Sequence, residues 1–203
     1  MGLLDALRGL FGNRAERGAT RDADPDDLFG MSTAYVTMSA DLDFEPTGGA
    51  ALCFAGVDST DFADTVDEVM SIMAASDRDT GSITERHEDD HGYEWVVLDA
   101  RNFEDLVSGV HFAADTFIER GYGSRLLAAV FGFERPREGT PAYWIYSFRR
   151  GTYYPFAPTE DKNRDAGTEF KLESVLDGEL TIEDDKQYWY PLWPSRAGCH
   201  PWQ

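Results

Sequence analysis

Residues 102–133 read NFEDLVSGVHFAADTFIERGYGSRLLAAVFGF and contain the helix and the strand from which the fold class is deduced. Asn102 can cap the helix with its side chain, and apolar residues follow at spacings of three and four as far as Phe117. Gly121 is the expected stop, because glycine readily adopts the left-handed conformation that ends many helices. The unbroken apolar run that follows predicts a buried strand over residues 125–133.

The sequence on either side alternates between the two kinds of pattern. Helices are predicted from Pro25 with Asp24 as the cap, from Ser59 or Thr60 to Met73, and over residues 168–177. Strands are predicted over residues 50–57, 82–87, 93–98, 142–149 and 152–156. This order predicts a mixed α+β fold, with a largely antiparallel sheet and helices packed on it. Residues 43–57 and 121–133 each place a glycine-bearing turn before an apolar strand and each follow a helix, so the fold could contain two similar half-units.

The first twelve residues form a unit of their own. An apolar face of a short amphipathic helix would consist of Leu3, Leu4, Leu7, Leu10 and Phe11. A helix this short is marginal in water, so it must dock on its own domain, on a partner protein or on a membrane surface. Residues 13–23 contain no large apolar side chain and are predicted to be a linker. The remainder, residues 24–203, is predicted to be a single α+β domain with an aromatic C-terminal tail.

The charge of the chain limits its partners. Its 38 acidic and 18 basic side chains give a formal charge of −20, which makes binding to nucleic acid unfavourable. The 23 Asp and 15 Arg residues, against 15 Glu and 3 Lys, are typical of proteins from a high-salt cytoplasm, although an acidic mesophilic protein would have a similar charge. With two cysteines, no secretory signal and no membrane span, the chain is predicted to be cytoplasmic.

The segment His87-Glu88-Asp-Asp-His91 matches the H-E-x-x-H pattern of zinc hydrolases. In those enzymes a helix brings both histidines to one metal, and the glutamate activates a metal-bound water. A glycine and a predicted strand follow His91 at once, which favours a hairpin turn instead. The alternatives are a catalytic zinc site, adventitious metal binding by the two histidines, and a solvated turn; we predict no catalytic residues, no cofactor and no bound metal.

Two aromatic segments could form interaction surfaces. In residues 146–158 the adjacent Arg149 and Arg150 lie among five aromatic residues, so one arginine could bind an external carboxylate or stack on an aromatic ring. Alternatively, both arginines neutralise the protein's own surplus of carboxylates. Residues 188–202 contain three of the five tryptophans and are expected to pack back over the domain, although part of this tail could be a recognition surface.

Several segments together suggest a family. The chain resembles the PspA-associated protein family PspAB of haloarchaea and actinobacteria. The resemblance is carried by MGLLDAL, DDLFGMSTA, GYEWVVL, GYGSRLLAAVFGF, YSFRRGTYYPFAP, KLESVLDGEL and YWYPLW, and it extends over nearly the whole chain.

The resemblance implies an association with the membrane-protecting coiled-coil protein PspA and with envelope stress, often alongside an HtpX-type membrane protease. It supplies no active-site residues, and His87 and His91 are not part of the family pattern. We therefore predict a non-enzymatic adaptor or regulator that uses residues 1–12 for docking, in the cytoplasm or peripheral to the inner face of the membrane. A metal-dependent hydrolase and a small-ligand sensor are the alternatives.

Overall fold

The computed structural model describes residues 24–89, 92–159 and 161–192. The predicted helix 1–12, the linker 13–23 and the end of the aromatic tail lie outside the described residues. Within these ranges the elements are a 3-10 helix Pro25–Gly30, α1 Met31–Leu42, β1 Glu45–Ala55, α2 Thr60–Thr80, β2 Ile83–Glu88, β3 Tyr93–Asp99, α3 Phe103–Glu119, β4 Leu126–Arg135, β5 Thr140–Ser147, β6 Thr152–Phe156 and α4 Ala166–Leu176. The predicted order of elements is confirmed.

The six strands form one open sheet in the order β2-β3-β1-β4-β5-β6, and every pair of neighbours is antiparallel. This confirms the α+β class. The two apolar segments that resemble each other in sequence form the central strands β1 and β4. Each follows a helix, but β1 leads into α2 and the β2–β3 hairpin, whereas β4 continues directly into β5 and β6. The likeness of the two halves is therefore limited to a helix followed by a central strand.

The helices α2 and α3 begin where their capping residues predict, but α2 extends past the predicted Met73 to Thr80, and α4 begins at Ala166, two residues before the predicted start. Ser59 caps α2 by accepting a hydrogen bond from the backbone N–H of Phe62, and Asn102 caps α3 by accepting one from Glu104. The first segment differs slightly from the prediction, because Pro25–Gly30 is a 3-10 helix that continues into α1.

The sequence predicted a turn at Gly48 and Gly49 before β1. This prediction is wrong. Both glycines lie inside the strand, where the pairing with β4 changes register between Pro46 and Ala50. Gly48 has a φ of +85°, a conformation that glycine adopts without strain. The two glycines therefore form a bulge, which bends the strand.

The two faces of the sheet are covered differently. All four helices pack on one face, where the main core includes Phe54, Phe117, Phe131 and Trp144. The other face has a second apolar cluster around Cys53, Trp95, Val130 and Tyr154, and the described residues that pack on it from outside the sheet include Trp189 and Leu192. The expectation that the aromatic tail packs back over the domain is therefore confirmed for Trp189 and Leu192; Trp193 and Trp202 lie outside the described residues.

Candidate functional site

Arg150, one of the two predicted interaction arginines, forms a bidentate ion pair inside the protein. The β5–β6 turn brings its Nε atom to 2.7 Å from Glu183 Oε2 and its Nη2 atom to 3.0 Å from Oε1. The same guanidinium lies over the ring of Tyr188, with Cζ 4.1 Å from the ring centroid. Arg150 thus neutralises one of the protein's own carboxylates, which was the alternative to external binding.

Glu183 is the centre of this network. Its carboxylate also accepts hydrogen bonds from the hydroxyl of Thr152 and from the backbone N–H of Asp185. Burial would raise the pKa of Glu183, but the hydrogen bonds from Arg150, Asp185 and Thr152 together hold it below the ordinary value. The ion pair holds the segment around Glu183 against β6. This segment leads to the aromatic tail.

Arg149 has a different environment. Its Nη1 atom is buried and has no hydrogen-bond partner within the described ranges, and its charge acts on Tyr93, where it opposes the rise that burial causes in the tyrosine pKa. The neighbouring aromatic side chains do not form a binding edge, because Tyr146, Phe148 and Tyr153 are at most 2% exposed and belong to the main core. Arg149 is the member of this segment whose positive charge is not matched by a carboxylate of the described residues.

A second ion pair, which was not predicted from the sequence, lies near the other end of β6. Arg164 Nε donates to Glu169 Oε1 at 2.7 Å, and the other nitrogens of Arg164 donate to the carbonyl groups of Pro155 and Trp189. Glu169 is 5% exposed and also accepts from the N–H of Ala157. Charged residues five positions apart are common in an acidic chain, so no sequence signal distinguished this pair.

The H-E-x-x-H segment begins at the end of a strand. His87 and Glu88 are the last two residues of β2, so their side chains point to opposite sides of the sheet. His87 Nε2 lies 3.2 Å from Glu85 Oε2. The predicted hairpin is confirmed, whereas Asp90 and His91 lie outside the described residues.

The expected solvated turn is wrong for Asp89. This residue is 6% exposed, and its carboxylate accepts hydrogen bonds from the backbone N–H of Tyr93 and from the indole N–H of Trp95. Asp89 therefore stabilises the hairpin from inside, because each of its carboxylate oxygens has a donor.

Three further observations concern metal-binding or reactive side chains. In the part of the chain that the structure describes, no group of three or more His, Cys, Asp or Glu side chains is placed to hold a metal ion. Cys53 is 1% exposed within the second apolar cluster, and burial raises the pKa of its thiol, so it is a core residue. His111 is half-buried; its Nε2 atom lies 3.0 Å from Asp26 Oδ1, and its ring packs on the ring of Phe29.

An open groove lies between α2 and α3. This α2–α3 groove has a volume of ≈ 270 Å³, and Ile72 and Phe112 on its lining are 41% and 36% exposed. Met73 and Leu98 form part of the apolar lining and are nearly buried, and polar side chains that include Asp77 and Asp105 complete it. The groove has no signal of its own in the sequence, because its apolar residues continue the same periodic pattern as the core residues of the two helices.

A larger cavity of ≈ 490 Å³ lies beside the β4–β5 turn and has side chains of both charges, among them Asp41, Arg135 and Lys171. Arg135 is engaged within the protein, since its Nε atom donates to the carbonyl of Leu42 and its guanidinium lies over Phe44. The groove therefore has the more apolar lining of the two.

Comparisons with known proteins identify the family. The family model PspAB, described as PspA associated protein B, matches residues 1–202. The chain belongs to this family. No curated protein and no solved structure matches the chain.

Membership of the PspAB family confirms the resemblance deduced from the sequence. The description of the family supports an association with PspA and names no catalytic activity. In the described part of the chain, no helix is long and apolar enough to span a membrane.

Proposed function

We propose that this PspAB protein is a non-enzymatic adaptor or regulator of the PspA envelope stress response. The observation that carries the proposal is the match of the PspAB family model to residues 1–202. Two features of the described residues support it. Arg150 and Arg164 are engaged in ion pairs that hold the fold together, and the exposed apolar side chains include Ile72 and Phe112 beside an open groove.

The direct partner in this proposal is a PspA-like coiled-coil protein, and the docking element is the amphipathic segment 1–12. Its apolar residues are Leu3, Leu4, Leu7, Leu10 and Phe11. Partial burial of these five side chains contributes on the order of 5 to 10 kcal/mol before the ordering entropy is subtracted. Because a micromolar dissociation constant corresponds to about 8 kcal/mol net, the segment by itself supports weak, reversible binding. A protein groove is a better receptor than an anionic bilayer, because the net charge of −20 repels the bilayer.

Arg149 and Arg150 are the second part of the proposed interaction surface. Arg149 would contribute the positive charge, because Arg150 is already paired with Glu183. The protein would act in the cytoplasm or at the inner face of the membrane, where an HtpX-type membrane protease is a further candidate partner.

The experiment that tests this function is a binding assay with the purified PspA-like protein of the same cell, in buffer with molar KCl. Full-length chain, a chain lacking residues 1–12 and the Leu7→Asp variant are compared, with Asp5→Asn on the opposite helix face as the matched control. We expect the deletion and Leu7→Asp to abolish binding, and Asp5→Asn to retain it.

The deletion is also expected to change the free energy of unfolding by less than about 1 kcal/mol, because the segment would serve a partner and not the core. Absence of binding by the full-length chain would contradict the adaptor function. A large loss of stability in the deletion variant would show that the segment belongs to the core of the domain. Binding of the deletion variant equal to full length would exclude the segment as the docking element.

A further inference from the structure

The α2–α3 groove has an apolar lining that is open to solvent. Ile72 and Phe112 are more than one-third exposed, although both lie on helices whose other large apolar residues are mostly buried. Gly109 allows the close approach of α3 to β3 and to α2, because a Cβ atom there would lie 2.5 Å from Leu98 Cδ2 and 3.0 Å from Met73 Cε. The groove is therefore a product of how α3 packs on α2 and β3.

The helices that form the groove are strongly acidic. The helix α2 carries six acidic side chains and one arginine, and α3 carries four acidic side chains and neither lysine nor arginine, so the pair has a formal charge of −9. None of these ten carboxylates is fully buried. Asp77 and Asp105 lie in the lining itself, and Asp77 accepts hydrogen bonds from Ser82 and Thr84.

Two arginines, Arg86 and Arg120, pair with Asp67 and Glu68 nearer the beginning of α2. Arg78 and Arg101 lie next to groove residues in the sequence, but the net charge of the two helices remains negative when both are counted. A ligand that fits the groove must therefore bring apolar side chains together with positive charge.

We propose that the α2–α3 groove binds a basic amphipathic helix of a partner protein. Two or three apolar side chains on one face of that helix would contact Ile72, Met73 and Phe112, and flanking lysines or arginines would lie near Asp77 and Asp105. This is the helix-in-groove mode of recognition, with anchors at spacings of three and four.

Two other occupants of the groove are a small molecule and the chain's own N-terminal segment, and the groove's size and charge favour a basic helix over both. The groove volume of ≈ 270 Å³ lies just below the range of roughly 300–1,000 Å³ that is usual for small-molecule sites, and the acidic surroundings repel anionic ligands. The chain's own residues 3–11 have one Asp and one Arg, so they offer apolar residues without a net positive charge. A basic helix satisfies both the apolar lining and the acidic surroundings.

This inference deepens the proposed adaptor function, because it adds a second contact and assigns the chemistry of the partner. The probe is a fluorescein-labelled 18-residue peptide of leucine and lysine, with the leucines on one helical face. A peptide of the same composition with its leucines scattered, and a peptide with glutamate in place of lysine, are the reference ligands. Fluorescence anisotropy measures the dissociation constants for the full-length protein. The assay uses the lowest KCl concentration at which melting curves show that the protein is folded, because molar salt would screen the charges on which the proposal depends.

We expect the patterned basic peptide to bind at least tenfold more tightly than either reference peptide. Ile72→Ser and Phe112→Ser should each weaken its binding at least tenfold, and Asp105→Asn about threefold. Phe170→Ser is the matched control, because Phe170 is 62% exposed on α4 and does not line the groove. This variant should bind the patterned peptide with the affinity of the wild type. Circular dichroism melting curves show whether each variant is folded.

Equal affinity for the patterned and the scattered peptides, or equal effects of Phe112→Ser and Phe170→Ser, would overturn the proposal. A tenfold gain in affinity on removal of residues 1–12 would also overturn it, because the chain's own segment would then be the occupant. If the peptide fails to bind while the PspA-like protein is still retained through residues 1–12, only the groove assignment is wrong. If both fail, the adaptor function is wrong as well.

Discussion

Glu183→Gln should destabilise the fold by about 3 kcal/mol, because it breaks a buried ion pair while nearly preserving the shape of the side chain. The carboxylate of Glu183 accepts from Arg150 twice, from Thr152 and from the backbone of Asp185. In the amide, one oxygen is replaced by an NH2 group that faces two of these donors. Breaking a buried pair costs roughly 3–5 kcal/mol, and we take the lower end because the side chain of Arg150 is 18% exposed and can be partly hydrated.

The depressed pKa of Glu183 also predicts how this difference depends on pH. A carboxyl group whose pKa is lower in the folded chain stabilises the fold fully above its unfolded pKa, near 4.5 for glutamate, and loses that contribution as the pH falls through the folded pKa. Glutamine does not titrate. The wild type should therefore be about 3 kcal/mol more stable than Glu183→Gln at neutral pH, and this difference should shrink at acidic pH.

Urea unfolding at molar KCl, followed by far-ultraviolet circular dichroism, measures the difference directly. In a thermal scan the same change corresponds to a decrease of about 6 to 12 °C for a domain of this size. Glu173→Gln is the matched control, because Glu173 pairs with Lys186, whose side chain is 54% exposed, and such pairs contribute roughly 0–1 kcal/mol. Equal effects of the two substitutions, or a loss below about 1 kcal/mol for Glu183→Gln, would refute this account of the network.

Three further predictions concern the whole domain. First, the temperature of unfolding should rise by many degrees between dilute buffer and molar KCl, because salt screens the repulsion among 38 acidic side chains; a temperature that does not respond to salt would contradict the halophilic interpretation. Second, the purified protein should contain less than about 0.1 zinc per chain by elemental analysis, since catalytic sites hold the metal with three converging ligands; one equivalent of zinc that His87→Ala removes would favour the hydrolase alternative. Third, Cys53 in a Cys199→Ser variant should react with a thiol reagent only after unfolding, because burial raises the pKa of its thiol and excludes the reagent; rapid labelling of the native protein would show that the second face of the sheet opens readily.

Much of the fold follows from local patterns in the sequence. The cap at Asn102, the spacing of Leu106, Val110 and Phe117 and the stop at Gly121 all concern neighbours within one or two turns, so one helix can be deduced without the others. Strand ends and hairpins follow from the same kind of local signal. Gly48 and Gly49 were misinterpreted because a turn and a bulge both favour glycine; the pairing of β1 with β4 distinguishes them.

The candidate sites were predicted less completely. The role of Arg150 depends on Glu183, which is 33 positions away in the sequence, and the burial of Asp89 depends on the indole of Trp95 across the hairpin. Neither relation has a fixed spacing that a single sequence can reveal. Residues 1–12, by contrast, remain a sequence prediction, because the described residues begin at Asp24.

The sequence by itself determined the order of helices and strands, the antiparallel α+β class, the acidic character and the likeness to the PspAB family. Only the tertiary structure decided which charges are paired, which face of the sheet is covered by helices, and that an apolar groove stays open beside Ile72 and Phe112. The physical reason is that hydrophobic periodicity acts within an element. Ion pairs, buried carboxylates and grooves, in contrast, depend on contacts between elements that meet only when the sheet is assembled.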